Sequence, residues 1–166
     1  YGRLLSTNLP AYFRKTVQVD VMNSEAITYS EFSNALSNPV ILGVVSVAPL
    51  EGNFILELAD NLGYTIIDRM LGGSGKPLDK TRDFTEVELI IIERVMNVCT
   101  NLLIEPWESV ISIEPRLERI ETNSQFAQII SPSEMIAIVT MNLSIGTVEG
   151  LMLSLIHISE PTRQEA

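Results

Sequence analysis

The chain has 166 residues, 46% hydrophobic and 19% charged, with a formal net charge of −10 and a pI near 4.5. Such a composition supplies a core and excludes a disordered chain, and the acidic balance argues against a nucleic-acid or anionic-lipid surface. No stretch approaches the roughly 18 consecutive apolar residues of a membrane-spanning helix, and a single cysteine, Cys99, excludes an internal disulfide framework and fits a reducing compartment.

The sequence starts at Tyr1-Gly2-Arg3 with neither Met nor a signal pattern, and is expected to be a piece of a longer protein. Leu5, Leu9, Tyr12 and Phe13 recur at helical spacing across Leu4 to Phe13, interrupted by Pro10. Thr16 to Val21 alternates Val17, Val19 and Val21 with polar residues, the pattern of a half-buried strand. Thr28 to Leu36 reads as a short helix with Ser30 as its cap. Val40 to Val47 is a dense β-branched run that predicts a central strand. A turn at Leu50 to Asn53 leads into a returning strand, Phe54 to Leu58, and completes a hairpin. Ala59 to Leu71 is then a helix with Leu62, Ile66, Ile67 and Met70 on one stripe.

That helix is stopped by Met70-Leu71-Gly72-Gly73-Ser74-Gly75-Lys76-Pro77. Glycine is the costliest ordinary residue in a helix, and proline lacks a donor. The stretch therefore predicts an exposed main-chain ledge that another molecule can approach closely. Arg69, Lys76, Lys80 and Arg82 also give it a local basic excess, against Asp68 and Asp79. After it, Thr85 and Glu88 form a capping box. The helix it opens carries Val87, Ile91, Val95, Cys99 and Leu102-Leu103 on its inner face and ends at Pro106, with Trp107 over its terminus. Ile111 to Thr122 is a strand irregular at Pro115, Phe126 to Ile130 is a short apolar piece, Met135 to Leu143 is a second β-branched strand, and Gly150 begins another.

The second half repeats the first. A shift of 94 residues lays Thr28-Tyr29-Ser30-Glu31-Phe32 on Thr122 to Phe126, Ile41 to Val47 on Met135 to Met141, and Val17 and Val19 on Ile111 and Ile113; after four extra residues a shift of 98 matches Glu51-Gly52 with Glu149-Gly150. Two copies of one unit imply a pseudo-two-fold axis, with the strands of both copies in one sheet and long helices over its faces. The repeats are set at about 1–75 and 76–152. Residues 153–166 do not continue the expected strand-then-helix pattern. They resemble translated sequencing-adaptor sequence and are expected to be a non-native tail, so no function is assigned there, His157 included.

The usual catalytic groupings are missing. Cys99 stands alone on an apolar helix face, where core packing accounts for it. The glycine stretch is not a P-loop, because Met70 holds the earlier glycine position and Pro77 replaces the magnesium-binding hydroxyl; Leu78 likewise breaks Gly-x-Gly-x-x-Gly. No metal or cofactor is expected.

Taken together, the duplicated α/β unit, Asn38-Pro39 before a buried strand, the segment Ile-Ile-Asp-Arg-Met-Leu-Gly-Gly-Ser-Gly-Lys-Pro and the following Arg82-Asp83-Phe84-Thr85-Glu86-Val87-Glu88 resemble the middle domain of the FliM family of flagellar motor switch proteins, over nearly all of residues 1–152. The resemblance implies an α+β, CheC-like fold: a three-layer α/β/α unit with a central mixed sheet flanked by long helices. It implies a structural and signalling role without catalysis in the cytoplasmic C-ring of the flagellar basal body, held peripherally at the inner membrane through partners. Those partners are FliG, FliN and neighbouring copies in the ring, with phospho-CheY as a further candidate and no nucleic acid or small-molecule substrate. The FliG-binding site it implies is Met70, Leu71, Gly72, Gly73, Ser74, Gly75, Lys76, Pro77 and Arg82.

The rival reading is a CheC-like phosphatase acting on phosphorylated CheY. That branch carries a Glu and, three residues later, an Asn. Here Glu93 and Asn97 are four apart, with Leu89 where Asp or Ser is expected, and Asn8 has Leu5 three positions before it. Neither copy meets the pattern. A small-molecule sensor between the two halves has no residue in its support.

Overall fold

The computed structural model describes residues 1–76, 80–123 and 130–157. In chain order the elements are α1 (Gly2–Asn8), α2 (Pro10–Phe13), β1 (Val17–Thr28), α3 (Tyr29–Ala35), β2 (Ile41–Ala48), β3 (Asn53–Leu58), α4 (Asp60–Met70), α5 (Glu86–Asn101), α6 (Ile104–Trp107), β4 (Glu114–Glu121), β5 (Met135–Ile145) and β6 (Val148–His157).

Local chemistry explains most of the boundaries. Pro10 splits the expected first helix and takes the first position of α2, where its missing N–H is not needed. Thr28, not Ser30, caps α3: its hydroxyl accepts the Glu31 N–H at 3.3 Å. Thr85 and Glu88 form the expected capping box on α5. Pro106 does not end α5; the helix stops at Asn101, and Pro106 lies within α6. β1 runs to Thr28 rather than Val21. Residues 20–26 are exposed, so backbone pairing with β5 holds them and burial leaves no alternation to read. The register slips between Val21 and Asn23, a bulge on the sheet edge.

One six-stranded sheet has the order β1-β5-β6-β3-β2-β4, and every pair in it is antiparallel. The expected mixed sheet is therefore corrected. Two tight hairpins, β2–β3 and β5–β6, force antiparallel neighbours, and they meet through β3 and β6 across the two-fold, which also reverses direction. Exchanging β1 with β4, β2 with β5 and β3 with β6 leaves the order unchanged when read backwards, so the duplication inferred from the sequence is a symmetry of the sheet. β4 is an edge strand, which is why Pro115 is tolerated in it.

The axis stands normal to the sheet, so equivalent long helices of the two copies fall on the same face. Leu5 and Leu9, Leu62 and Ile66, and Ile92, Val95 and Met96 share the larger core with Ile41, Val45, Leu56 and Met152. The opposite face carries a smaller cluster, in which Tyr29 and Phe32 of α3 cover Leu42, Ile55, Ile138 and Leu155. Long helices thus cover one face, not both. The apolar piece at 126–129 lies outside the described residues.

On α5 the inner stripe is Ile92, Val95, Met96 and Cys99, while Val87 is 66% exposed. Val95 and Cys99 point inward as expected. Val87 does not, because a stripe at 3.6 residues per turn that holds Cys99, Val95 and Ile92 turns away from it. β6 continues five residues past the boundary set at 152 and pairs on both sides, with Leu155 buried. Residues 158–166 lie outside the described residues.

Candidate functional site

The glycine loop is built on the end of α4. Leu71 is the last half-helical residue, and Gly72 follows with φ +92°, a left-handed conformation that favours glycine. The Gly72 N–H donates to Arg69 O at 3.1 Å and the Gly73 N–H to Asp68 O at 2.7 Å. These two bonds form a Schellman motif, which satisfies carbonyls that the helix end would otherwise leave unpaired.

Asp68 and Arg69 then shape the rest of the loop. Asp68 Oδ2 accepts the Gly75 N–H at 2.6 Å, folding the loop back on the helix. A side chain at Gly73 would place its Cβ 2.1 Å from Asp68 Oδ1, and one at Gly75 would lie 2.8 Å from Arg69 Cδ. At Gly72 a Cβ would meet nothing within 4 Å. The three glycines therefore serve different purposes. Gly72 supplies the turn, Gly73 makes room for Asp68, and Gly75, at φ +83°, both turns the chain and makes room for Arg69.

The returning strand of chain is anchored to the same helix. Phe84 stacks on Tyr64 with ring centroids 4.7 Å apart, and its ring lies 3.1 Å from the point a Cβ on Gly63 would occupy. The Tyr64 hydroxyl donates to Arg82 O and accepts the Arg82 N–H at 3.0 Å. Tyr64 and Asp68 are one turn apart on α4, so departure and return are fixed by adjacent positions.

This arrangement leaves Leu71 69% exposed and Gly72, Ser74 and Lys76 exposed, with Gly73 and Gly75 half-buried. Met70 packs partly against the core. Pro77 lies outside the described residues. The ledge faces solvent. Its basic residues, however, are partly engaged within the chain. Arg69 turns onto backbone carbonyls, and Arg82 makes a two-pronged pair with Glu88, Nη1 to Oε1 at 2.7 Å and Nη2 to Oε2 at 2.8 Å. The Arg82 guanidinium, with help from the Thr85 N–H and hydroxyl, holds the Glu88 carboxyl down at about 2. Lys76 and Lys80 are exposed as well. Asp68, Tyr64, Phe84 and Glu88 were not singled out from the sequence as site residues. Their signal was only proximity to the glycines and the capping box.

The residues of the rival reading keep the spacing read from the sequence, with Glu93 and Asn97 one turn apart on α5. Glu93 and Asn97 are both exposed on α5, while the Asn8 amide donates within its own helix to Leu4 O at 2.8 Å and Leu5 is fully buried. Cys99 is buried, and burial pushes its thiol up to about 12. Among the described residues no cluster of three His, Cys, Asp or Glu side chains could hold a metal. A groove of about 200 Å³, lined in part by Leu50, Phe54, Trp107 and His157, lies on the helix face of β3. Its symmetry counterpart, on β6, is filled by α4, where Asn61 donates to Glu149 O at 2.7 Å and Leu62 lies against Gly150. No helix among the described residues is long and apolar enough to cross a membrane.

A family model described as flagellar motor switch protein FliM matches residues 1–163. The chain belongs to the FliM family. It is 40% identical to the FliM of Borreliella burgdorferi over 153 residues, covering 92% of this chain and 44% of that protein, so it spans under half the length of this curated relative. Among solved structures, the FliG–FliM complex from H. pylori matches with a TM-score of 0.90 and 28% identity, covering 94% of this chain and 86% of that one. A CheC-like superfamily protein from Shewanella matches with a TM-score of 0.52 at 12% identity over 94% of this chain and 92% of that one, which is a likeness of fold alone. The α+β fold expected from the FliM resemblance is the one observed, with the sheet and helix placement corrected as above.

Proposed function

We propose that this FliM-family domain is a non-catalytic, structural and signalling part of the bacterial flagellar motor switch, and that its glycine loop docks FliG. The observation that carries the reading is the solvent-facing loop Leu71–Lys76, whose main chain is held in one shape by Asp68 and Arg69 before any partner arrives. A pre-shaped, side-chain-poor ledge binds without first having to be ordered. Its exposed Leu71 offers apolar contact, and Lys76 and Lys80 offer charge, which governs on-rate and specificity more than affinity. The likeness to the FliM chain of a solved FliG–FliM complex supports FliG as that partner.

The remaining roles follow from family membership. The domain sits in the C-ring on the cytoplasmic face of the inner membrane, beside neighbouring copies, and links FliG to FliN. It passes phospho-CheY binding into a change of rotation sense. The Arg82–Glu88 pair lowers the stake of Arg82 as a direct FliG contact and makes it a support of the loop's return.

Titrating purified FliG into the chain by calorimetry tests the reading. Leu71→Asp is expected to abolish the binding heat while leaving the far-ultraviolet spectrum unchanged. Unchanged affinity removes the loop from the interface. Incubation with phosphorylated CheY is expected to release no phosphate beyond the spontaneous rate.

A further inference from the structure

We propose that Arg69 is a positioning residue that ties the glycine loop to the end of α2, so that the loop's docking shape depends on where the N-terminal helix pair sits. The inference rests on the reading of the loop as the docking element. Arg69 leaves the last turn of α4, and its guanidinium spans two places far apart in sequence. Nη1 donates to Gly73 O at 2.8 Å, inside the loop. Nε donates to Phe13 O at 2.7 Å and Nη2 to Arg14 O at 3.0 Å, at the end of α2.

Those two carbonyls belong to a helix terminus that has no further turn to satisfy them. Arg14 is in the left-handed region, φ 52°, and ends α2. The guanidinium therefore works as a remote cap for α2 and as a clip for the loop at once. Only a rigid planar fork does both; a lysine ammonium at the end of a flexible stem is a point donor without that span. Asp68 gives the loop a second clip, but that one is local to α4. The far end of the Arg69 link is firm, because Phe13 and Leu9 are buried in the main core and α2 packs against α4. Displacing α1–α2 therefore pulls on the carbonyl side of the clip and is felt at Gly73.

Arg69→Lys keeps the charge and removes the fork. Hydrogen–deuterium exchange on this variant is expected to quicken at Gly73–Lys76 and, in the same sample, at Phe13–Lys15, while the β2–β3 and β5–β6 amides keep their protection. Faster exchange in the loop alone, or in neither segment, overturns the coupling. In FliG titrations Arg69→Lys is expected to bind about tenfold more weakly. If Leu71→Asp weakens binding and Arg69→Lys does not, the positioning role fails while the docking reading stands. If neither changes affinity, the docking reading fails, and the exchange data alone decide whether the loop and α2 are joined.

Discussion

Leu56 of β3 lies directly opposite Ser154 of β6, and the pseudo-two-fold axis passes between them. The 98-residue offset makes these two residues equivalents of one another. The flanking pairs behave accordingly: Ile55 pairs with Leu155 and Glu57 with Leu153, and the offset exchanges one pair for the other. The two halves are thus joined at their central strands by a self-complementary contact. Leu56 is fully buried against the helices that cover this face. Leu56→Ala is expected to lower stability by about 2–5 kcal/mol through lost burial and a residual cavity. Urea denaturation checks it: the midpoint should fall with the slope unchanged. A loss well under about 1 kcal/mol would mean that the seam between the halves relaxes freely.

Gly72 and Gly73 are adjacent, yet their substitutions should differ. Gly72→Ala meets open space and costs about 1 kcal/mol for its left-handed backbone. Gly73→Ala drives a methyl group into the Asp68 carboxylate and must displace either the loop or that carboxylate, which holds the Gly75 N–H. FliG titration is expected to show the larger loss of affinity for Gly73→Ala, part of it regained in Gly73→Ala/Asp68→Ala. Equal losses for the two single variants would separate the loop's shape from Asp68.

Glu88 links the Arg82 pair to the α5 cap. Its carboxyl lies at about 2 in the folded chain against an ordinary 4.5, chiefly because of the Arg82 guanidinium. A depressed acid stabilises the fold at pH above its unfolded value, and that contribution is lost as pH falls through about 2. Glu88→Gln should therefore lower the melting temperature at pH 7, with the gap to the parent closing below pH 3. A constant gap across that range would show that capping geometry, not charge, carries the effect.

Glu57 works in the opposite direction. It stands in the central strand, on the face shared with α3, between Leu42 and Leu153, and its Oε2 is buried with no hydrogen-bond partner. Burial pushes the carboxyl up from 4.5 to about 7. On the same face of β4, Arg119 pairs with Glu121 at 2.9 Å and Glu118 accepts from the Ser46 hydroxyl at 2.8 Å. Between about 4.5 and 7 the folded chain binds more protons than the unfolded one, so stability declines as pH rises through that window. Glu57→Gln is expected to flatten the decline and to stabilise the chain at pH 8 by on the order of 1–3 kcal/mol. Thermal melts from pH 4 to 8 check this. A parent chain with no slope between pH 5 and 7 would contradict it.

Much of this architecture was written in local pattern. The β-branched runs at Val40–Val47 and Met135–Met141, the capping box at Thr85 and Glu88, and the glycines after Met70 each act over a few residues, and each element formed where its pattern lay. The duplication was legible too, because a repeated pattern must build a repeated unit. The exposed half of β1 was not, since an edge strand held by backbone pairing leaves no mark on side-chain polarity.

Tertiary structure alone decided three things. It put the long helices of both copies on one face, because the direction of a symmetry axis is a property of strand pairing and not of either copy. It engaged Arg69 and Arg82 within the chain, because their acceptors at Phe13, Arg14 and Glu88 are brought to them only by folding. And it showed that Gly73 is small for the sake of Asp68, a close contact made by the loop's return onto α4 that spacing along the chain does not reveal.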